Sequence, residues 1–521
     1  MGAPIIPLDF LPGIQRDGTE LDANRALDAL WCRWRLARPR KIGGYQDMEA
    51  IAGAGIPRRI HCYYSGANVY VHVGTAFGLW QIVLDQNGNF VSVANRTPVA
   101  FPGTANLSWT LDAIFDTTSS ALQLIAHAAT NALLTASATQ STPYLGILTD
   151  SAPLVFFSNP GAPGPGIWTK PSIAGGIVCV QPFVFDFDIN GLVQWSAPNL
   201  PLYLGVTQGS SGAGQARISA QKVVAGMPLR GGGAQSPAAL FWTLSEVISA
   251  VYVGTPAWFS FNTISPSSSI LGPSVVIEYD CLYFWAGVGR FLVFNGTVQE
   301  LPNNQNQDWF FDNLTTGYEA KTFAFKVPRY GEIWWCAPMF GATEPSHAVI
   351  YNLRENCWYD TALPANFSAA YFAQGFRYPL IMRGQAGGAV LSLFDKGTDA
   401  VDVNGVPTAL RSYFETPWIG GPRDKQPNDR GLSYQQFEPD FIQSGDMTAQ
   451  VIGTANTRSP LAPGPVTTIP AAPTVDQQLI GYKESHRLGR LHIESNLIGG
   501  SFIGGRNLLH AEPSEQRQTS G

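Results

Sequence analysis

The chain has 521 residues and a formal net charge of −6, from 32 basic and 38 acidic side chains. That balance argues against a dedicated nucleic-acid binder, which needs net positive charge to displace counterions from phosphates. Only 13% of residues are charged, about half the usual share, while 45% are hydrophobic and 12% aromatic; a large core is available, and an uncharged surface favours burial against copies or partners.

The first residues, Met1-Gly2-Ala3-Pro4, show no basic stretch followed by an apolar one, and no run of 18 apolar residues follows. Neither a signal peptide nor a membrane span is expected. Gly2 does not open a myristoylation motif, because Ile6 stands where Ser or Thr is needed. The six cysteines (Cys32, Cys62, Cys179, Cys281, Cys336 and Cys357) form no C-x-x-C pair, and several fall inside apolar strands. They read as reduced thiols acting as small hydrophobes.

Residues 1 to 20 are punctuated by Pro and Gly and read as extended. Leu21 to Leu30 reads as a short helix: Thr19-x-x-Asp22 resembles a capping box, and Leu27, Leu30, Trp31 and Trp34 fit a 3.6 period. From Cys32 the period becomes two, with Cys32, Trp34 and Leu36 alternating with Arg33 and Arg35. Arg33, Arg35, Arg38, Arg40 and Lys41 place five positive charges in nine residues, with no acid between Asp28 and Asp47. This cluster has two readings. One is a solvated strand edge whose charges block unwanted pairing. The other is a basic contact surface for an acidic partner or a nucleic-acid backbone.

From Arg58 onward short apolar strands recur in sets of four. The clearest sets lie between Val275 and Asp360. One comprises Val275 to Tyr279, Cys281 to Trp285, Arg290 to Phe294 and Thr297 to Leu301. The next comprises Thr322 to Val327, Glu332 to Ala337, His347 to Tyr351 and Trp358 to Thr361. Turn pairs such as Asn295-Gly296 separate them, and such a pair between apolar runs is a strong hairpin signal. Four strands repeating every ~40–50 residues are the signature of a β-propeller blade. Similar sets start near Cys62, Leu107 (with a weak strand at Leu133 to Ala136), Val155 (continuing after a Gly/Pro loop at Gly176), Lys222 and Ala370. The fold class expected is all-β: a β-propeller of about six to eight blades with an N-terminal extension and a small C-terminal β region. The division expected is 1–57 as an entry and adaptor-contact segment, 58–418 as the propeller, and 419–521 as a C-terminal β segment. Within the last, Gly420 to Gly431 reads as a linker, Ser459 to Thr474 as an exposed Pro-rich loop, and Glu512 to Gly521 as disordered in composition.

Motifs for chemistry are weak. Asp186-Phe-Asp188-Ile-Asn190-Gly191 matches half of a calcium loop, but Ala197 stands where a bidentate Glu is required; a hairpin turn explains it. Gly209 to Gly214 is glycine-rich without a following Gly-Lys-Ser/Thr. The seven histidines form no compact metal set, and no G-x-S-x-G elbow occurs. Asp280, Asp308, Asp312 and Glu332 could meet at a propeller mouth, as glycosidase chemistry requires, but the Ser-x-Asp-x-Gly-x-x-x-Trp turns of propeller sialidases are absent. No catalytic residue, cofactor or metal is expected.

Several stretches carry a resemblance. They are Gly13-Ile-Gln-Arg-Asp-Gly-Thr19, Trp34 through Tyr45, Asn190 through Ser196, Leu282 through Thr297, Glu332-Ile-Trp-Trp335, Val349 through Trp358, and Gly489 through Arg506. Together, in order and over most of the chain, they resemble the tail nozzle or tail hub proteins of short-tailed bacteriophages (tail tubular protein B, packaged-DNA stabilisation protein). The resemblance implies a structural virion protein of the phage tail, made in the bacterial host cytoplasm. It implies a homohexameric ring below the portal and its adaptor ring, docking tail fibres or spikes on its outside. The ring would retain packaged DNA and conduct it during ejection, without sequence-specific binding. It implies no catalytic residue. On this reading the cluster Arg33, Arg35, Arg38, Arg40 and Lys41 is the expected partner interface. The alternatives are a propeller binding module recognising carbohydrate or a host surface, and a propeller glycoside hydrolase.

Overall fold

The computed structural model describes residues 5–98, 101, 108–129, 143–156, 176–204, 212–230, 237–420, 431–474 and 478–514. The expected strand at Leu133 to Ala136 lies outside these residues, as do half of the glycine-rich loop and most of the linker and the C-terminal end.

Among the described residues, strand pairing resolves the repeats into seven antiparallel blades. Their first strands are Pro57–Ser65, Ser108–Asp116, Gly176–Val180, Val223–Pro228, Ile277–Tyr279, Phe323–Val327 and Phe367–Tyr371. Each pairs with the next strand in sequence, and the first six blades run as meanders; Val155–Phe156, expected to open the third blade, is instead the last strand of the second, paired with Tyr144–Ile147. The first strands of the first four blades lie beside one another in turn, as do those of the fifth to seventh, and the seventh returns to the first, which puts them at the centre of a closed propeller. The faces between blades are apolar. Val178, Phe185 and Trp195 meet Phe241 and Phe259 between the third and fourth blades, and Trp242 meets Trp285 edge-on between the fourth and fifth at 5.7 Å. Radial packing of this kind leaves each blade only short edges in place of the long edge of a single open sheet.

Ring closure redraws the N-terminal division. The seventh blade takes three strands, Phe367–Tyr371, Leu380–Gln385 and Gly388–Phe394, from late in the chain. Its fourth is Tyr45–Ala52, which pairs antiparallel with Gly388–Phe394. Asp47 stitches this strand in by accepting from Ser392 Oγ at 2.7 Å and pairing with Arg383. Residues 45–52 therefore belong to the propeller and not to an entry segment.

The remaining N-terminal residues do not stand alone either. Ile5–Pro7 pairs with Leu508–Pro513, Asp28–Leu30 with Ser412–Glu415, and Arg38–Lys41 with Ser501–Gly504. Both chain ends thus build one terminal β domain in which three sheets draw strands from each end. Its side chains Trp34, Phe414, Phe437, Leu491 and Phe502 share a continuous core with Phe325, Trp334, Phe367 and Phe394 of the sixth and seventh blades. The segments expected as 1–57 and 419–521 are halves of this domain.

The helix expected over Leu21–Leu30 is replaced by a turn at Thr19–Asp22 and short strands at Arg25–Ala26 and Asp28–Leu30. The 3.6 spacing of Leu27, Trp31 and Trp34 is met by a kink instead: Trp31 takes a left-handed φ of 51° between two strands, so it and Trp34 are both buried. The Pro-rich stretch is mostly exposed, but Ala462–Pro463 and Thr467–Ile469 pair with Met447–Thr454, so it is hooked to a sheet edge. Glu512 and Pro513 likewise lie in a strand. Cys281 is exposed in a turn where Asp280 and Cys281 both have positive φ; the other five cysteines are free and buried as expected.

One ionic knot inside the terminal domain sets a pH dependence. His492 Nδ1 lies 3.0 Å from Glu415 and Nε2 3.1 Å from Glu494, and Arg411 grips Glu494 with two hydrogen bonds. Burial pulls His492 down, but its hydrogen bonds to the two carboxylates outweigh burial and raise it to about 9. The His492 bond is also the main cause of Glu494 falling to about 2. A raised histidine stabilises fully below its ordinary value of 6.5, and that contribution is lost as pH climbs through about 9. The stability gap between the wild type and His492→Gln should therefore be larger at pH 6 than at pH 10 by roughly 2–3 kcal/mol, read by urea unfolding. A gap independent of pH would contradict the assignment.

Candidate functional site

Strand Cys32–Arg35 and strand Arg38–Lys41 form a hairpin, so their side chains alternate between two faces. The inner face carries Cys32, Trp34 and Pro39, and Lys41 follows them inward. Lys41 is buried and donates from Nζ to the carbonyl of Gly500 at 2.8 Å; burial lowers it to about 8. The other face carries Arg33, Arg35, Arg38 and Arg40, in cross-strand pairs Arg33–Arg40 and Arg35–Arg38. The expected interface is therefore split: Lys41 faces the core, and the four arginines share a face with different surroundings.

Arg33 is only 1% exposed. Its guanidinium contacts Glu332 at 2.8 Å and donates to both oxygens of Asp395 at 3.0 and 3.1 Å. Glu332 is satisfied further by the Tyr359 hydroxyl at 2.7 Å and the Trp334 indole N–H at 2.9 Å. Asp395 also accepts the Gly43 N–H at 2.9 Å. Tyr330 covers the guanidinium, 3.7 Å from ring centre to Arg33 Cζ. Arg33 is thus a structural tie from the terminal domain to the sixth and seventh blades, and no partner can reach it. Further out, Arg329, Arg35 and Arg40 surround the same Tyr330 ring at 5.1, 5.7 and 5.7 Å. Arg38 pairs loosely with Asp9 at 3.4 Å.

The arginine face continues onto apolar residues. Arg40 stands opposite Ile503, and Ile503 opposite Ile442. Ile442 is 75% exposed, and Leu36 at the hairpin tip is 80% exposed. The turn that carries Leu36 is held open by its left-handed pair, Leu36 and Ala37, whose N–H groups both donate to Glu355.

The carboxylates expected at a propeller mouth do not meet. Glu332 is in the Arg33 tie, Asp280 is in an exposed turn, and Asp308 and Asp312 sit on a short helix, Gln307–Asp312, that the sequence reading lacked. Asp17 fixes the start of that helix by accepting the N–H groups of Asp308 and Trp309. The Asp186–Gly191 stretch is a hairpin turn: Asp188 accepts the N–H groups of Asn190 and Leu192, both at 2.8 Å. Among the described residues no group of acids, histidines and cysteines has the arrangement of a metal site.

A second polar set, absent from the sequence reading, lines the propeller centre. On the first strand Ile60 and Cys62 join an apolar cluster, while Arg59 reaches Ser274 Oγ ahead of the fifth blade at 3.4 Å and His61 packs against the rings of His72 and Tyr371. Asp112 of the second blade accepts the N–H of Cys179 on the third at 2.8 Å, a bond that ties neighbouring inner strands. Burial raises Asp112 to about 6, partly offset by the N–H bonds from Cys179 and Ala113 and by Arg59 and Arg230. Burial, with Cys62 and Asp112 nearby, lifts Tyr371 to about 12. Burial also holds His61 down at about 4, so it is neutral at physiological pH. Lys326 of the sixth blade pairs with Glu278 of the fifth at 3.1 Å. The period-two alternation of Arg59 and His61 with Ile60 and Cys62 was the available signal.

The fold and these surfaces define a seven-bladed β-propeller carried on a β domain. No protein-family model matches the chain, and no curated protein matches it. Solved structures similar to it include BBS1N in complex with ARL6DN, at 9% identity and a TM-score of 0.39, covering 68% of this chain and 97% of that one. Virginiamycin B lyase from Staphylococcus aureus matches at 10% identity and a TM-score of 0.39, covering 67% and 98%. The computationally designed Ika8 protein matches at 10% and 0.33, covering 68% and 99%. At these values none of them speaks to a ligand, a partner or an activity.

The Arg33 tie makes a stability prediction. Arg33→Met leaves two buried carboxylates without their cation and should cost about 3–5 kcal/mol. Adding Glu332→Gln and Asp395→Asn should recover part of that loss, because no unpaired charge then remains buried. Urea unfolding of the single and triple variants checks this; a cost below about 1 kcal/mol, the range of exposed pairs, would contradict the account.

Proposed function

We propose that the protein is a structural, partner-binding subunit without catalytic activity, and that it works as the tail nozzle of a short-tailed bacteriophage. In this role it assembles as a homohexameric ring below the portal and adaptor, carries fibres or spikes, and conducts DNA through the ring. The observation that carries this reading is the set of projecting apolar side chains on the terminal domain. Leu36, Ile442, Val466 and Ile498 are all more than 60% exposed, and large exposed apolar groups of this kind mark surfaces that another protein covers. The chain-long resemblance supports it, as does the continuous core between the terminal domain and the propeller, which suits a rigid building block.

The test is assembly. Leu36→Asp combined with Ile442→Asp should abolish co-sedimentation of the protein with a portal–adaptor complex while leaving its melting temperature within a few degrees of wild type, because both positions are exposed. Unchanged co-sedimentation would remove the terminal domain as the assembly surface.

A second reading, a propeller binding module, is favoured by the polar set at the propeller centre. Arg59, Tyr371 and Arg230 there could hold a carbohydrate or an acidic group. Arg59→Ala abolishing retention on host-surface polysaccharide, with ring assembly unaffected, would favour it.

A further inference from the structure

Four guanidinium groups lie within 6 Å of one tyrosine ring, and the acids nearby account for only one of them. Glu332 and Asp395 are committed to Arg33. Asp9 is shared by Arg38 and Arg506. Glu355 is committed to the N–H groups of Leu36 and Ala37. Among the described residues, no carboxylate pairs with Arg35, Arg40 or Arg329. Arg35 and Arg329 are exposed and Arg40 is half-buried. Tyr330, itself buried, gathers all three around one ring, so the cationic groups already lie together where an anion would bind. Crowding like charges is unfavourable unless something else compensates it, and a protein with net charge −6 has no general surplus of positive charge to explain the patch.

We infer that Arg35, Arg40 and Arg329 form a docking surface for an acidic segment of a partner protein, with Leu36 and the Ile442–Ile503 row receiving apolar side chains of the same segment. The apolar half decides between partner classes. Nucleic-acid backbone offers phosphates but nothing for Leu36 and Ile442 to cover, whereas arginines beside exposed apolar groups fit the anatomy of a protein–protein contact. Carboxylates meet guanidinium groups in bidentate geometry, which gives the contact direction as well as affinity. This inference rests on the reading of the chain as a binding protein, but not on its forming a ring.

The experiment is fluorescence anisotropy with a short fluorescein-labelled peptide rich in glutamate and leucine, titrated with the purified full chain at low salt. Wild type should bind, more weakly as salt rises. The triple variant Arg35→Glu, Arg40→Glu, Arg329→Glu should bind at least ~10-fold more weakly, as expected when charged partners become repulsive. Arg329→Glu alone, on an exposed side chain, should give a smaller loss in the same direction and guards against misfolding of the triple variant. Arg411→Glu, whose side chain pairs with Glu494, should leave the peptide affinity unchanged. Equal peptide binding by wild type and both arginine variants would overturn the proposal, as would tighter binding of a short DNA duplex than of the peptide. Because the assay uses the free chain, such a result leaves ring assembly on a portal–adaptor complex as a separate question.

Discussion

A single guanidinium with almost no solvent contact holds the two halves of this protein in register. Arg33 comes from the terminal β domain, Glu332 from the sixth blade, and Asp395 from the end of the seventh. Two buried carboxylates would be costly without it, and one buried arginine would be costly without them. Each group therefore fixes the position of the others, and hydrogen bonds from Tyr359, Trp334 and Gly43 fill the remaining acceptor sites. Around this tie lies the largest apolar cluster, in which Trp31 meets Trp334 and Phe394 at 6.1 and 6.0 Å. The chain ends must come together for any of this to form, because Tyr45–Ala52 closes the propeller and the strands before it complete the terminal domain.

Much of this architecture was legible in the sequence. The two strand sets between Val275 and Asp360 match the observed strands to within a residue or two at most ends, since short aromatic and β-branched runs bounded by Asn-Gly and Asp turns have few other folds open to them. The blade count fell within the expected range. Long-range pairing was not legible. Nothing in the composition of Tyr45–Ala52 says that its partner lies more than 330 residues later, and the shared sheets of the chain ends rest on equally distant contacts. The helix expected at Leu21–Leu30 shows the limit of periodicity: a strand kinked by a left-handed Trp31 buries the same positions as a helical stripe.

The basic cluster was visible as charge, but its division was not. Alternation in a strand predicted that Arg33 and Arg35 would share a face, and they do. Sequence could not show that a distant tyrosine and two distant acids would bury Arg33 and leave Arg35 and Arg40 outside. Arg329, which completes the outer set, lies almost 300 residues away and carried no signal of its own. The same holds for the propeller centre, where Arg59, Asp112 and Tyr371 come from three blades.

The proposed role turns on whether this rigid two-part body assembles through its terminal domain. The most direct measurement is native mass combined with negative-stain imaging of the protein, alone and with a portal–adaptor complex. The account predicts closed rings of six subunits around a central hole, formed alone or upon meeting that complex. A protein that remains monomeric in both conditions would contradict it.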